Sequence, residues 1–309
     1  MDEASSDHTP AAIVRANGID LCYETFGSRV DPPLVLVMGL AAQMILWDDE
    51  FCVRLARERF WVIRFDNRDI GRSTTFPKSG SPNWLSLALT PFTKKFAKPT
   101  YTLRDMANDT LGLMDALGIA RAHVVGASMG GMIAQVLALE HPERLLSLTS
   151  IMSTPGDPHL PRAEPHALAA LMKPTKTDRA SYVTRYMETW SVLAGPVLPL
   201  DPEHTRAQGE RGFARGINPS GAARQMKAIV AADDRTAALG ALRVPTLVIH
   251  GSADALVPLA HGRATANAIP GSTFEIVDGM GHALPRAAWP QLISAIVRHA
   301  RATAVATPA

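Results

Sequence analysis

The chain has 309 residues, 47% of them hydrophobic and 19% charged, the proportions of an ordinary globular enzyme rather than of a disordered or fibrous chain. With 31 Lys and Arg against 29 Asp and Glu the formal charge is +2; no basic tract or acidic tail occurs, so composition gives no reason to expect nucleic acid or an anionic membrane surface as a partner. The start, residues 1–7, is polar and acidic and lacks the positive end and apolar core of a secretory leader, and no apolar run reaches the length of a membrane span. The location these features predict is the cytoplasm, which also suits two reduced, buried thiols at Cys22 and Cys52.

Residues 1–11 read as a disordered lead. Residues 13–15 and 19–26, joined by Asn17-Gly18, predict a hairpin with a two-residue turn. Residues 34–38 (LVLVM) form a continuous apolar run, the pattern of a strand buried on both faces. A helix is predicted over 46–58 and a strand over 61–65. The stretch 74–100 carries Pro77, Pro82, Pro91 and Pro99 with Trp84, Phe92 and Phe96 between them, a long connection too apolar for a plain solvated loop. Over 102–117 the apolar residues fall at helical spacing, opened by Thr102 with Asp105 three residues on, and Gly118 ends the run.

Next comes the most informative stretch. The apolar run His123-Val124-Val125 leads into Gly126-Ala127-Ser128-Met129-Gly130-Gly131, and an apolar helical pattern follows to Glu140. A strand, a sharp turn with serine at its apex and a helix form the setting in which G-x-S-x-G marks a nucleophile. Gly126 and Gly130 are needed there because side chains two residues either side of the serine would collide. A strand over 145–151 follows. From 155 to 240 only helical patterns occur, with five prolines near the start. Alternation then resumes: strand 246–250, helix 259–268, strand 273–277 and helix 285–300, with a tail expected to fray from 301. Strands alternating with helices imply a mostly parallel sheet covered on both faces. The organisation predicted is a core in two parts, 1–154 and 241–309, with a helical cap inserted over 155–240.

A serine hydroxyl is a poor nucleophile at neutral pH and needs a base oriented by a carboxylate. In the order Ser, acid, His, the chain offers Asp254 in His250-Gly251-Ser252-Ala253-Asp254-Ala255-Leu256-Val257-Pro258 and His282 in Gly279-Met280-Gly281-His282-Ala283-Leu284-Pro285, each just past a predicted strand. Rival acids are Asp157 and Asp278. Asp278 lies too close in sequence to His282 for the usual geometry, while Asp157, on the loop after the sixth strand, stays open. His250 ends a buried strand and reads as core or as a support behind the site; His123, His141, His261 and His299 read as surface residues. Asp66 and Arg68, in Asp66-Asn67-Arg68-Asp69-Ile70-Gly71-Arg72-Ser73, read as holding a turn beside the site. No H-E-x-x-H, C-x-x-C or P-loop occurs, so neither metal nor cofactor is expected.

These loops resemble the α/β-hydrolase superfamily. Met38-Gly39-Leu40-Ala41-Ala42-Gln43-Met44, Trp47, Val62-Ile63-Arg64-Phe65-Asp66, Gly71-Arg72-Ser73-Thr74 and Gly279 to Pro285 are similar to its aclacinomycin methylesterase-like branch, over about residues 13–155 and 240–300. The resemblance implies an eight-stranded, mostly parallel sheet, a serine hydrolase cleaving small to medium carboxylic esters through an acyl-enzyme, and an oxyanion hole from the amides of Met129 and Leu40. Where many members have His-Gly, this chain has Met38-Gly39, which leaves a main-chain donor in place. The stripe Tyr182, Tyr186, Trp190, with Met187, is divided between cap core and substrate contact; Trp190, Tyr186 and Met187 are the substrate-binding candidates. Acyl transfer, thioester, lactone or C–C bond hydrolysis with the same triad stays open, as do a low-turnover ligand-binding protein and a homodimer.

Overall fold

The computed structural model describes residues 8–79, 99–174 and 177–304. Trp84, Phe92 and Phe96 of the proline-rich connection lie outside the described residues. Strand β1 (Thr9–Ala16) pairs with β2 (Ile19–Phe26) through a turn whose central residues, Asn17 and Gly18, both have positive φ (46° and 75°). That is the geometry a two-residue hairpin needs to match strand twist. The strand begins at Thr9, so pairing with β2 orders residues that composition alone assigns to a disordered lead.

The remaining strands are β3 (Pro33–Val37), β4 (Trp61–Phe65), β5 (Ala122–Ala127), β6 (Leu145–Ile151), β7 (Thr246–Gly251) and β8 (Thr273–Val277). They form one eight-stranded sheet in the order β1-β2-β4-β3-β5-β6-β7-β8. The β1–β2 and β2–β4 pairs are antiparallel and every other pair is parallel. Alternate side chains serve opposite faces. Val35, Val37, Ile63 and Val124 pack under helices α2 (Leu103–Ala116) and α3 (Met129–Glu140). Leu34, Leu36, Val62 and Val125 pack on the other face, under α1 (Asp49–Arg57) and α10 (Trp289–Ala304). Both faces are covered, which explains the unbroken apolar runs of the central strands.

Local chemistry sets the helix ends. Thr102 and Asp105 form a reciprocal capping box at the start of α2. The helix predicted over 46–58 divides into a 3-10 turn at Met44–Leu46 and α1, because the Asp48 carboxylate accepts the Glu50 amide at 2.8 Å and starts the helix there. Likewise a 3-10 turn at Arg286–Ala288 precedes α10, which runs on through Ala304 into the segment expected to fray. His123 is buried rather than on the surface. Its Nδ1 lies 2.8 Å from the Ser147 hydroxyl, and burial pushes the imidazole down to about 4.

Between β6 and β7 the described residues form α4 (Pro165–Met172), α5 (Arg179–Ala194), α6 (Pro202–Arg215), α7 (Pro219–Ala231) and α8 (Thr236–Leu239); α9 (Leu259–Ala268) lies between β7 and β8. Buried ion pairs fasten this helical insertion to the loop after β4. Arg215 of α6 meets Asp66 at 2.6 Å, and Arg224 of α7 meets Asp69 at 2.7 Å. Asp66 also accepts the amides of Met44 and Arg72. Arg68 grips Asp109 of α2 with two hydrogen bonds of 2.6 Å, and Asn17 donates to the same carboxylate at 2.8 Å.

Asp109 is 1% exposed, so removing its cation leaves a buried charge poorly matched. Arg68→Ala is expected to lower the unfolding free energy by about 3 kcal/mol. Urea unfolding followed by circular dichroism measures this; a loss below about 1 kcal/mol, the scale of an exposed pair, would contradict the assignment.

Candidate active site

Ser128 sits between β5 and α3 with φ 56° and ψ −120°, a conformation that costs a non-glycine residue about 1–3 kcal/mol. The surroundings enforce it. The Ser128 amide donates to Ile151 O at 2.9 Å, and its carbonyl accepts the amides of Gly131 and Met132 and the Ser153 hydroxyl. A Cβ at Gly126 would run into the Gly130 backbone, and one at Gly130 into the Val37 carbonyl. The turn therefore closes only with glycine at both positions.

Strands β5, β7 and β8 run parallel, so the loops that follow them leave the same edge of the sheet. These loops bring Ser128, Asp254 and His282 together. His282 Nε2 lies 2.9 Å from Ser128 Oγ, and His282 Nδ1 lies 2.8 Å from Asp254 Oδ2. The other Asp254 oxygen accepts the amides of Leu256 (3.0 Å) and Val257 (2.8 Å). Burial alone would raise the Asp254 carboxyl, but His282 and His250 beside it, together with their hydrogen bonds, hold it well below the usual carboxylate range. Asp157 instead pairs with exposed His159 at 3.0 Å, and Asp278 accepts the Ser252 hydroxyl at 2.8 Å. Asp254 is thus the acid that meets His282.

The loop after β3 passes close to the serine: a Cβ at Gly39 would stand 3.1 Å from Ser128 Cβ. The amides of Leu40 and Met129 have no hydrogen-bond partner among the described residues. Gln225 of α7, fully buried, holds this loop by accepting the Ala41 amide at 2.9 Å while donating to Arg68 O at 2.8 Å.

A cavity of about 330 Å³ opens over Ser128 and His282. Leu40, Met132, Met152 and Met226 contribute apolar walls, and Tyr182, Tyr186 and Trp190 of α5 line one side. The aromatic stripe both packs among the helices between β6 and β7 and lines the cavity. Its neighbouring rings pack at centroid distances of 6.1 and 6.0 Å, Tyr182 packs on Phe213 of α6 at 5.6 Å, and the same three residues face the cavity. Met187, on the same helix, is not among the lining residues. A polar stretch of wall was not anticipated: His204 Nε2 lies 2.7 Å from Asp48 Oδ2, beside Asp201, Gln208 and Arg286. Asp201, His204 and Gln208 share one face of α6 at i, i+3, i+7 spacing, whereas Asp48 and Arg286 come from the starts of α1 and α10, and no spacing joins them to that face. Helix α5 also reaches the site directly, since the His282 amide donates to Leu193 O at 2.7 Å.

The α/β-hydrolase fold family model matches residues 32–285. The rhodomycin D methylesterase DauP of Streptomyces sp. (strain C5) is 31% identical over 326 residues, covering 96% of this chain and 100% of that protein. The rhodomycin D methylesterase DnrP of Streptomyces peucetius is 32% identical over 322 residues, with the same coverage. Similarity to these relatives thus extends across the insertion, beyond the two stretches in which the motifs lie. Among solved structures, a hydrolase from Pseudomonas aeruginosa PA01 superposes with a TM-score of 0.66 at 25% identity, covering 94% of this chain and 98% of its own.

The depressed Asp254 carboxyl has a consequence for stability. A group whose folded value lies below its unfolded one contributes stability that is complete above the unfolded value, about pH 4 for Asp, and that is lost as pH falls through the folded one. Asp254→Asn is expected to be less stable than wild type at pH 7 and to lose less between about pH 4 and pH 2. Denaturant unfolding across that range tests this; parallel curves for the two proteins would contradict it.

Proposed function

Because the chain belongs to the α/β-hydrolase fold family and its methylesterase relatives place it among carboxylic ester hydrolases, we propose that it cleaves small to medium esters through an acyl-enzyme on Ser128, with His282 and Asp254 as its partners. The observation that carries this reading is the pair of hydrogen bonds on one imidazole, 2.9 Å to the Ser128 hydroxyl and 2.8 Å to the Asp254 carboxylate.

The carboxylate only accepts, so His282 Nδ1 carries a hydrogen and Nε2 is left to receive the serine proton. Ser128 Oγ attacks the ester carbonyl carbon as its proton passes to His282 Nε2. Asp254 keeps the ring in that tautomer and stabilises the imidazolium. The carbonyl oxygen becomes an oxyanion in the tetrahedral intermediate, facing the amides of Leu40 and Met129; donors without another partner among the described residues can serve charge that develops only in the transition state. Collapse expels the alcohol, which takes the proton from Nε2. A water then gives its proton to Nε2 and attacks the acyl carbon, and the second collapse returns the proton to Ser128 Oγ and releases the acid.

In this reading residues 155–240 act as a cap that shapes the substrate site. The apolar and aromatic wall supports a neutral or hydrophobic acyl or alkyl group in the cavity. The names of the curated relatives support a methyl ester as one substrate form.

Hydrolysis of p-nitrophenyl acetate and butyrate by wild type and Ser128→Ala tests the proposal. The variant is expected to lose activity by about three or more orders of magnitude. Equal rates for the two proteins would remove Ser128 as nucleophile.

A further inference from the structure

We propose that His250 is a positioning residue that fixes the Asp254 carboxylate by tying down the loop that carries it. The inference deepens the Ser128–His282–Asp254 reading and rests on it. His250 is the penultimate residue of β7 and is fully buried. Its Nε2 lies 2.7 Å from Val257 O and 3.5 Å from Asp254 Oδ2. A carbonyl can only accept, so the hydrogen resides on Nε2. Val257, held by its carbonyl, gives its own amide to Asp254 Oδ1 at 2.8 Å. Two hydrogen bonds thus run in series, from His250 to Val257 and from Val257 to Asp254, and the Asp254 carboxylate lies against the His250 ring. Both carboxylate oxygens are involved: Oδ1 through the Val257 amide, and Oδ2 by facing His250 while it binds His282.

The other ring nitrogen argues that the imidazole is there for its donor. Nδ1 is buried with no hydrogen-bond partner among the described residues. It faces α9, where a Cβ at Gly262 would stand 2.5 Å away, so the helix leaves room for the ring but gives it nothing to bond. Burying an unsatisfied polar atom costs free energy, and an apolar side chain of similar size would avoid that cost. Packing alone therefore does not account for histidine here. What it supplies and a phenylalanine could not is the Nε2–H that holds the loop. Leu256 and Val257 of this loop line the substrate cavity, so the loop stands between substrate and acid. A small shift of the carboxylate would misalign His282, and misalignment of a base lowers turnover rather than substrate binding.

The test uses the full chain and p-nitrophenyl butyrate, comparing wild type with His250→Phe, His250→Gln and Gly262→Ala. His250→Phe is expected to lower kcat about 10–100-fold with KM within about twofold. His250→Gln places an amide donor near Nε2 and is expected to stay within about threefold of wild-type kcat. Gly262→Ala crowds the ring from α9 without removing the donor, and is expected to lower kcat by an intermediate factor at unchanged KM. Wild-type kcat in His250→Phe, equal losses in the Phe and Gln variants, or a change confined to KM would overturn the proposal. If His250→Phe does not fold, Gly262→Ala decides: reduced kcat at unchanged KM supports the proposal and wild-type kcat overturns it. Ser128→Ala, run alongside, separates the two levels of inference. An active Ser128→Ala defeats the triad reading itself, whereas an inactive one beside an unaffected His250→Phe defeats only this inference.

Discussion

The two hydrogen bonds of the His282 ring join loops that are 154 and 28 residues apart along the chain. Parallel pairing from β3 through β8 makes that meeting geometrically available, because strands that run the same way deliver their following loops to one edge. Burial gives the meeting its strength. Asp254 and His282 are each 5% exposed, and charge–dipole interactions out of water are worth far more than at the surface. The strained backbone of Ser128 belongs to the same constraint. The hydroxyl reaches the imidazole only if the turn is tight, and the turn is tight only because glycines on either side let β3, β5 and α3 approach closely.

The helical insertion is fastened to the core rather than resting on it. Arg215 and Arg224 reach buried carboxylates of the loop after β4, and Gln225 clamps the loop after β3. The C-terminal turn of α5 receives the His282 amide. Helix α5 thus carries the aromatic wall of the cavity and also touches the loop of the proposed base. In the proposed reaction, a substrate pressing on Tyr182, Tyr186 or Trp190 would bear on the same element that holds that loop, a physical route from remote contacts to turnover as well as to affinity.

Much of the core was legible because its signals are local. The strands at Leu145–Ile151 and Thr273–Val277 and the helix at Leu259–Ala268 have the bounds that apolar runs and turn residues predict, and the α2 capping box stands where Thr102 and Asp105 indicate. The three loops that carry Ser128, Asp254 and His282 were marked by their glycines and by their place after strands. What sequence did not reveal is long-range polar pairing. Nothing local to Arg215 points to Asp66, 149 positions away, nor does anything near His204 point to Asp48. His123 looked like a surface residue because a histidine at a strand end usually is one; its partner Ser147 comes from the neighbouring strand. The helix predicted from 46 starts later because one side-chain oxygen, on Asp48, outweighs the apolar periodicity around it. The choice between Asp254 and Asp157 was likewise a question of distance, which spacing along the chain does not contain.

In the proposed mechanism the imidazole of His282 makes the Ser128 hydroxyl nucleophilic. Brief exposure of the native protein to a fluorophosphonate, followed by peptide mass spectrometry, addresses that directly. A single phosphonyl adduct on Ser128 is expected, formed much more slowly in His282→Ala. An unmodified Ser128, or labelling at the same rate without the imidazole, would contradict it.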